Sequence, residues 1–139
     1  MTFMKVQLFT DGGARGNPGP AAIGVVIKDL SGNTLEEYNE YIGTTTNNQA
    51  EYLALKKGIS LAKKRGAQEL DCFLDSELVV KQMNREYKVK DAKLALLFVE
   101  IWNMIASFRT VHFFHIERNK NKQADGLVNH SLDITLHIK

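Results

Sequence analysis

Disulfide bonds, membrane spans and secretion signals are the first features that this sequence lacks. Its 139 residues include one cysteine, Cys72, so no disulfide can form within the chain. No apolar run approaches the roughly 18–20 residues that cross a bilayer. The N-terminal stretch MTFMKVQLFTDGG has no basic region followed by an apolar one, as a signal peptide would. These absences predict a cytoplasmic protein that does not associate with membranes.

The sequence also has little net charge. Its 18 Lys and Arg residues nearly balance its 16 Asp and Glu residues, and the net charge of +2 is not that of a strongly basic protein. The basic residues nevertheless cluster in segments 56–65, 85–93 and 118–122. Such clusters suit a nucleic acid partner, but solvated helix faces carry similar clusters.

The hydrophobic pattern predicts nine elements in the order β-β-β-α-β-α-α-β-α, within a single domain that spans residues 1–139. The predicted strands cover residues 5–11, 21–29, 34–42, 69–75 and 111–117, and the predicted helices cover 48–64, 77–84, 92–108 and 121–132. Both prolines fall in a glycine-rich loop, residues 12–20. Hairpins in the first half imply antiparallel pairing, whereas the alternation in the second half implies parallel pairing. The expected fold class is α/β: a mixed five-stranded sheet, with three antiparallel and two parallel strands, and helices on both faces.

Four acidic residues occupy distinctive settings in this scheme. Asp11 and Asp75 end the first and fourth predicted strands. Glu51 lies in the first turn of the first predicted helix, and Asp125 lies near the start of the last. Four carboxylates packed together repel one another unless cations intervene, and all-oxygen sites suit Mg²⁺ or Mn²⁺ and two-metal phosphoryl chemistry. Taken singly, each acid is more typical of an ordinary strand end or helix start; the four together favour a metal site.

Four sequence blocks resemble the motifs of type 1 ribonuclease H, in the same order and in the same predicted settings. They are TDGGARGNPGPAAIGVVI, TTTNNQAEYLAL, DSELVV and NKQADGLVN, and the resemblance covers residues 5–132. It implies an endonuclease that cuts the RNA strand of an RNA–DNA hybrid and leaves 5′-phosphate and 3′-hydroxyl ends. It also implies two Mg²⁺ ions, for which Mn²⁺ can substitute. Asp11 would bridge these ions, Glu51 and Asp75 would hold one of them, and Asp125 would hold the other.

The resemblance further implies a groove for the hybrid beside the acids. The residues assigned to it are Asn17, Thr46, Asn47, Asn48 and Gln49, with Gly12 and Gly13, whose bare backbone can approach a sugar-phosphate strand. Amide side chains can read minor-groove edges and 2′-hydroxyl groups, and Thr46 can bind a phosphate of the DNA strand. The alternative is that residues 44–48 only cap the helix that follows.

The chain departs from the family pattern in two segments. Many relatives carry a histidine in a longer loop before the last aspartate, whereas here seven residues separate Glu117 from Asp125. Because the nearest histidine, His115, belongs to a predicted strand, we assign a catalytic role to Arg118, which can approach the scissile phosphate. The second departure is the short segment REYKVKDAK, where some relatives insert a basic protrusion. Fewer phosphate contacts there predict weaker, less salt-dependent binding and looser discrimination between duplexes.

The sequence leaves three alternatives to a hybrid ribonuclease. One is a nuclease with the same site and a wider duplex preference that includes double-stranded RNA. Another is a non-catalytic hybrid-binding module, which is disfavoured because a retired enzyme need not keep all four acids. A third, a resolvase or transposase core, usually has different motif spacing. We also expect a monomer, and the alternating tail, residues 133–139, predicts a short strand or a segment packed on the domain.

Overall fold

The computed structural model describes residues 3–137, which form five strands and four α-helices in the predicted order. The strands are β1 (Lys5–Ala14), β2 (Gly19–Lys28), β3 (Thr34–Thr45), β4 (Glu69–Leu74) and β5 (Thr110–His115). The helices are α1 (Asn47–Lys64), α2 (Glu77–Met83), α3 (Ala92–Ile105) and α4 (Lys122–Leu136), and a 3-10 turn (Arg118–Lys120) joins β5 to α4. Within these described residues, every helix is too short or too polar to cross a bilayer.

The strands form one mixed sheet in the order β3-β2-β1-β4-β5. β1 pairs antiparallel with β2 and parallel with β4, while β2 pairs antiparallel with β3 and β4 parallel with β5. Thr10 of β1 is opposite Leu74 of β4. The residues that follow this pair, Asp11 and Asp75, are therefore neighbours at the carboxyl end of β4. The sheet confirms the predicted fold class.

Helices cover both faces of the sheet, as predicted. On one face, α1 lies against Leu8 and Thr10 through Gly58, where an added Cβ would meet both side chains at 2.9 Å. The buried residues of α2 and α3 join the same hydrophobic core. On the other face, α4 lies so close to β2 that a Cβ at Gly24 would collide with the carbonyl group of Ala124. The contact between Gly24 and Ala124 brings the start of α4 close to the sheet, and the site lies there.

Some element boundaries differ from the prediction. β1 continues to Ala14 and β2 begins at Gly19, so much of the glycine-rich segment predicted as a loop is paired strand. The pairing extends because the small residues after Asp11 fit against β2 as far as the Ala14–Ala21 pair. At its other end α3 stops at Ile105 rather than at residue 108, because residues 106–109 turn the chain into β5.

The tail of the chain is helical where the structure describes it. α4 continues to Leu136, so a strand in residues 133–136 is wrong. Leu132 is buried, and Oδ1 of Asp133 forms an ion pair with Nη2 of Arg15 at 2.6 Å. Both contacts hold this end of α4 on the domain. Residues 138–139 of the predicted tail lie outside the described residues.

Candidate active site

The paired ends of β1 and β4 position Asp11 and Asp75. Asp11 lies within β1, opposite Gly24 of β2, and only 8% of it is exposed. Asp75 follows β4 directly and precedes Ser76, whose hydroxyl oxygen caps α2 by accepting a hydrogen bond from the backbone N–H of Val79. The backbone on both sides of Asp75 is therefore held by regular structure.

Glu51 reaches the same point from α1. The helix begins at Asn47, so Glu51 lies just beyond its first turn rather than within it. Glu51 is 7% exposed, and its Oε1 accepts a hydrogen bond from the backbone N–H of Gly12. A Cβ at Gly12 would collide with the backbone of Ala50, so glycine is needed here for the close approach of β1 and α1.

Asp11, Glu51 and Asp75 form a compact group that we call the acidic triad. One carboxylate oxygen from each residue lies within 4.8 Å of the other two. Burial, followed by the charge of Asp75, raises the pKa of Asp11 from 3.8 to about 7. Burial, followed by the charge of Asp11, raises the pKa of Glu51 well above its ordinary value. Ionisation of all three carboxyl groups is therefore unfavourable in free energy, and a bound cation would offset this.

The donor set of the triad fits a hard divalent cation. All three side chains offer carboxylate oxygens, which are the ligands that Mg²⁺ and Mn²⁺ prefer. Their mutual spacing lets one ion contact oxygens from more than one residue. The ligand atoms of the triad and their spacing therefore both suit a divalent metal site.

Asp125 and Arg118, which we call the rim, border the triad on its solvent side. Asp125 lies in the first turn of α4, outside the triad, and contributes a smaller part of the raised pKa of Asp11. The side chain of Asp125 is 29% exposed, and its Oδ1 lies 3.6 Å from Nη2 of Arg118. Arg118 itself is 81% exposed. The fourth predicted acid is therefore brought to the site, in a more exposed position than Asp11 and Glu51.

A cleft of about 320 Å³ opens over the triad and the rim. Four of the predicted substrate residues line it: Gly12, Gly13, Asn47 and Asn48. The other three do not, namely Asn17, Thr46 and Gln49. The predicted groove is thus only partly represented in the wall of this cleft.

The three predicted residues outside the cleft have structural contacts. Thr46 caps α1 by accepting a hydrogen bond from the backbone N–H of Gln49 at 3.2 Å. Oε1 of Gln49 accepts a hydrogen bond from the hydroxyl of Thr45. Oδ1 of Asn17 accepts one from the backbone N–H of Asn47 at 3.0 Å. The capping alternative therefore holds for Thr46, and contact of these residues with a nucleic acid stays a prediction.

Four polar residues near the acids were missed by the sequence reasoning. Arg15, Ser76 and Asn129 line the cleft, and Nδ2 of Asn121 donates to Oδ2 of Asp75 at 3.2 Å. Nδ2 of Asn129 donates to Asp125 at 3.5 Å. Asn121 and Asn129 lie four residues before and after Asp125, so helical spacing from that acid could have indicated both.

Comparison with known proteins places these observations in a family. Residues 9–131 match the family described as reverse transcriptase-like. A bifunctional protein of Mycobacterium tuberculosis is 42% identical over 131 residues, which are 94% of this chain and 36% of that protein. The chain thus spans about a third of the length of its mycobacterial relative. The ribonuclease HI of Halobacterium salinarum is 36% identical and is matched over 93% of this chain and 65% of its own length.

Solved structures agree closely with the fold. The N-terminal ribonuclease H domain of the Mycobacterium tuberculosis protein superposes with a TM-score of 0.93 at 39% identity, covering 96% of this chain and 97% of that one. The LC11 ribonuclease H1, isolated from compost by a metagenomic approach, was solved in complex with an RNA/DNA hybrid. It superposes with a TM-score of 0.91 at 46% identity, covering 94% of this chain and 99% of that one.

The mixed sheet, the helices on both faces and the acids that follow the last β1–β4 pair define a ribonuclease H-like domain. More narrowly, the chain belongs to the type 1 ribonuclease H family, in its compact form. The resemblance found in the four sequence blocks is thereby confirmed.

Proposed function

We propose that this protein is an endoribonuclease that hydrolyses the RNA strand of RNA–DNA hybrids and leaves 5′-phosphate and 3′-hydroxyl ends. The observation that carries the proposal is the acidic triad, whose three carboxylates converge within 4.8 Å at the end of a ribonuclease H sheet. The choice of substrate is supported by the 46% identical ribonuclease H1 that was solved with such a hybrid.

The acids of the cleft would hold two divalent cations, Mg²⁺ or, in its place, Mn²⁺. When bound, these ions supply Lewis acidity at the scissile phosphate. We assign Asp11 to both ions, Glu51 and Asp75 to one of them, and Asp125 to the other. The raised pKa values of Asp11 and Glu51 support this assignment, because they mark a place where negative charge lacks compensation.

The rim and the cleft wall would orient the substrate. The exposed guanidinium of Arg118 can donate a hydrogen bond to an oxygen of the scissile phosphate. We assign this role to Arg118 in place of the loop histidine that many relatives carry. Gly12, Gly13, Asn47 and Asn48 line the cleft and would contact the hybrid directly. Asn17, Thr46 and Gln49 would contact it from beyond the cleft, next to the start of α1. Amide groups at these positions can distinguish ribose, which carries a 2′-hydroxyl group, from deoxyribose.

A wider duplex preference, including double-stranded RNA, is the second candidate function. The segment between α2 and α3 favours it, because residues 84–91 form turns, bends and irregular backbone in place of a basic protrusion. Arg85, Lys88 and Lys90 are exposed in this segment and are its contribution to phosphate binding. A small number of phosphate contacts weakens binding of the hybrid and with it the preference for one duplex.

One cleavage experiment separates these functions. A labelled RNA strand is presented single-stranded, paired with DNA and paired with RNA, in Mg²⁺ and in Mn²⁺, beside an Asp75→Asn control. Cutting confined to the DNA-paired strand, and lost in the variant, is the expected result. Equal cutting of both duplexes would favour the wider nuclease. Binding of the hybrid with no cutting in either metal would favour a non-catalytic module.

We also propose that the protein acts as a monomer in the cytoplasm. The support for the monomer is that one chain supplies the triad, the rim and the cleft wall. Light scattering coupled to size-exclusion chromatography tests this proposal. A mass of about 15.7 kDa is expected, the mass of one chain, and a dimer mass at assay concentrations would contradict it.

A further inference from the structure

Asn121 is a buried polar residue at the junction of three elements that carry the acids. It is 2% exposed and occupies the N-cap position of α4, yet its side chain makes no capping hydrogen bond. Instead, Nδ2 donates to the backbone carbonyl of Thr10 at 2.9 Å and to Oδ2 of Asp75 at 3.2 Å. An N-cap side chain that is turned away from its own helix is serving a different contact.

The contacts of Asn121 reach the neighbourhood of three of the four acids. Thr10 directly precedes Asp11 in β1, and Asp75 is touched by the side chain itself. The backbone carbonyl of Asn121 accepts a hydrogen bond from the N–H of Asp125 at 3.0 Å, which fixes the first turn of α4. One residue thus connects β1, the end of β4 and the start of α4.

Chemistry dictates the orientation of the Asn121 amide. The carbonyl of Thr10 and the carboxylate of Asp75 are both acceptors, so only the NH₂ group of the amide can face them. Oδ1 of Asn121 then points away and is buried, with no hydrogen-bond partner among residues 3–137. Leaving that oxygen unpaired is unfavourable, so the arrangement persists because the two donated bonds require it.

We propose that Asn121 is a positioning residue for the metal site: its amide fixes the carboxylate of Asp75 and sets α4 against β1. This inference rests on the proposed function, since it concerns how Asp75 is presented to a cation. Because Oδ2 of Asp75 is held by Asn121, rotation of the carboxylate that contributes to the triad is restricted. Loss of partners that orient metal ligands typically weakens metal binding about 10–100-fold.

The main test replaces Asn121 by serine. Serine is itself a favoured N-cap residue, and its side chain is too short to reach Asp75, so Asn121→Ser removes the contact and retains the start of α4. The probe is Mn²⁺ alone, titrated into nucleic acid-free protein by calorimetry. We expect Mn²⁺ affinity to fall about tenfold or more. On the hybrid, kcat should fall while KM stays unchanged, because a residue that is 2% exposed does not contact substrate.

The matched control is Asn84→Ala. Asn84 also uses Nδ2 to bond a backbone carbonyl, that of Phe113 at 3.2 Å, and it lies at the C-cap of α2 outside the cleft. This control should lower Tm and leave Mn²⁺ affinity unchanged. If Asn121→Ser retains the wild-type Mn²⁺ affinity and kcat, the inference about Asn121 is overturned, whereas the proposed function is not. Absence of Mn²⁺ binding by the wild-type protein would instead overturn the proposed function.

A double-mutant cycle tests the contact without any metal. Asn121→Asp is isosteric but places a carboxylate against Asp75, so it should lower Tm strongly. Adding Asp75→Asn to that variant exchanges the two groups, so that the amide at position 75 donates to the carboxylate at position 121. Part of the lost Tm should therefore return. Strictly additive Tm changes would overturn the contact, because residues that touch are expected to couple.

Discussion

The acidic triad and the rim share one cleft but are built in different ways. Asp11 and Glu51 are less than 10% exposed and are held by strand pairing and by the N–H of Gly12. Asp125 and Arg118 project from the start of α4 and from a 3-10 turn, with side chains that are 29% and 81% exposed. The triad is therefore organised before any ligand binds, whereas the rim can adjust to the ligand.

This difference separates two tasks of the site. Carboxylates at fixed spacing set where a cation binds, because the protein holds them in place. The groups of the rim respond to the substrate and contribute less when the substrate is absent. Variants of the two regions should consequently differ in size of effect and in which property they change.

The largest expected effect is a contrast between Asp75→Asn and Asp125→Asn. We expect Asp75→Asn to lower kcat by roughly 10³-fold or more, which corresponds to about 4 kcal/mol of transition-state stabilisation. Asp125→Asn should lower kcat by only about 10–100-fold, roughly 1.4–2.7 kcal/mol, because Asp125 lies outside the triad and Asp11, Glu51 and Asp75 remain. Steady-state cleavage of the hybrid at saturating Mg²⁺ measures both. Equal losses would break the distinction between triad and rim.

The pH dependence of stability sharpens the same contrast. The pKa of Asp11 is raised from 3.8 to about 7, so the folded protein holds this proton more tightly than the unfolded chain does. Without metal, the Asp11 contribution to stability is present below pH 3.8 and is lost as the pH rises through 7. Asp11→Asn removes that loss and should be more stable at neutral pH by a few kcal/mol, at about 1.4 kcal/mol per pKa unit.

Urea unfolding in chelator at pH 4, 5.5 and 7.5 measures this effect. The advantage of Asp11→Asn should grow with pH and should shrink when Mg²⁺ is added to the wild-type protein. Asp125→Asn is the comparison, and it should relieve a smaller part of the same loss, because Asp125 contributes a smaller part of the raised pKa of Asp11. A pH-independent difference between Asp11→Asn and wild type would contradict the assignment.

Close approach of β1 and α1 gives the next prediction. A Cβ at Gly12 would collide with the backbone of Ala50, so Gly12→Ala should destabilise the protein by about 1–3 kcal/mol or more. It should also displace Glu51 and lower Mn²⁺ affinity. At Gly13 the same Cβ meets only Cγ1 of Val128 at an ordinary 3.7 Å, so Gly13→Ala is the matched control. Comparable losses of stability in both variants would show that the close approach is not decisive.

The smallest expected effect is that of Arg118→Ala. Because the side chain is 81% exposed, Tm should be unchanged, and kcat should fall by roughly tenfold, or about 1.4 kcal/mol. Arg118→Lys should recover part of kcat, since a positive charge remains while the planar fork is lost. An unchanged kcat would mean that Arg118 has no role in the reaction, and a fall in Tm would mean that it contributes to the stability of the fold.

The same division explains what the sequence could predict. Asp11 and Asp75 each follow a clear strand pattern, and parallel pairing of those strands makes them neighbours without further information. Asp125 was expected near a helix start and is found there. Local pattern is sufficient in these cases because one element, or one pair of elements, determines the position of the acid.

Contacts between distant elements were not predictable, even where sequence spacing could indicate the residue. Asn121 lies four residues before Asp125 and has the sequence setting of an ordinary cap, yet its side chain bonds Thr10 and Asp75 across the fold. The pairing of the glycine-rich segment with β2 depends on how closely β1, β2 and the helices pack. α4 also continues past residue 132, where Asp133 forms an ion pair with Arg15 from the far end of the sequence.

The most direct test of the account is an anomalous-diffraction experiment on crystals soaked in Mn²⁺. We expect a peak among the carboxylate oxygens of Asp11, Glu51 and Asp75, and loss of that peak in Asp75→Asn. A peak bound by Asp125 alone, or no peak in the triad at millimolar Mn²⁺, would contradict the claim that the triad is the primary cation site.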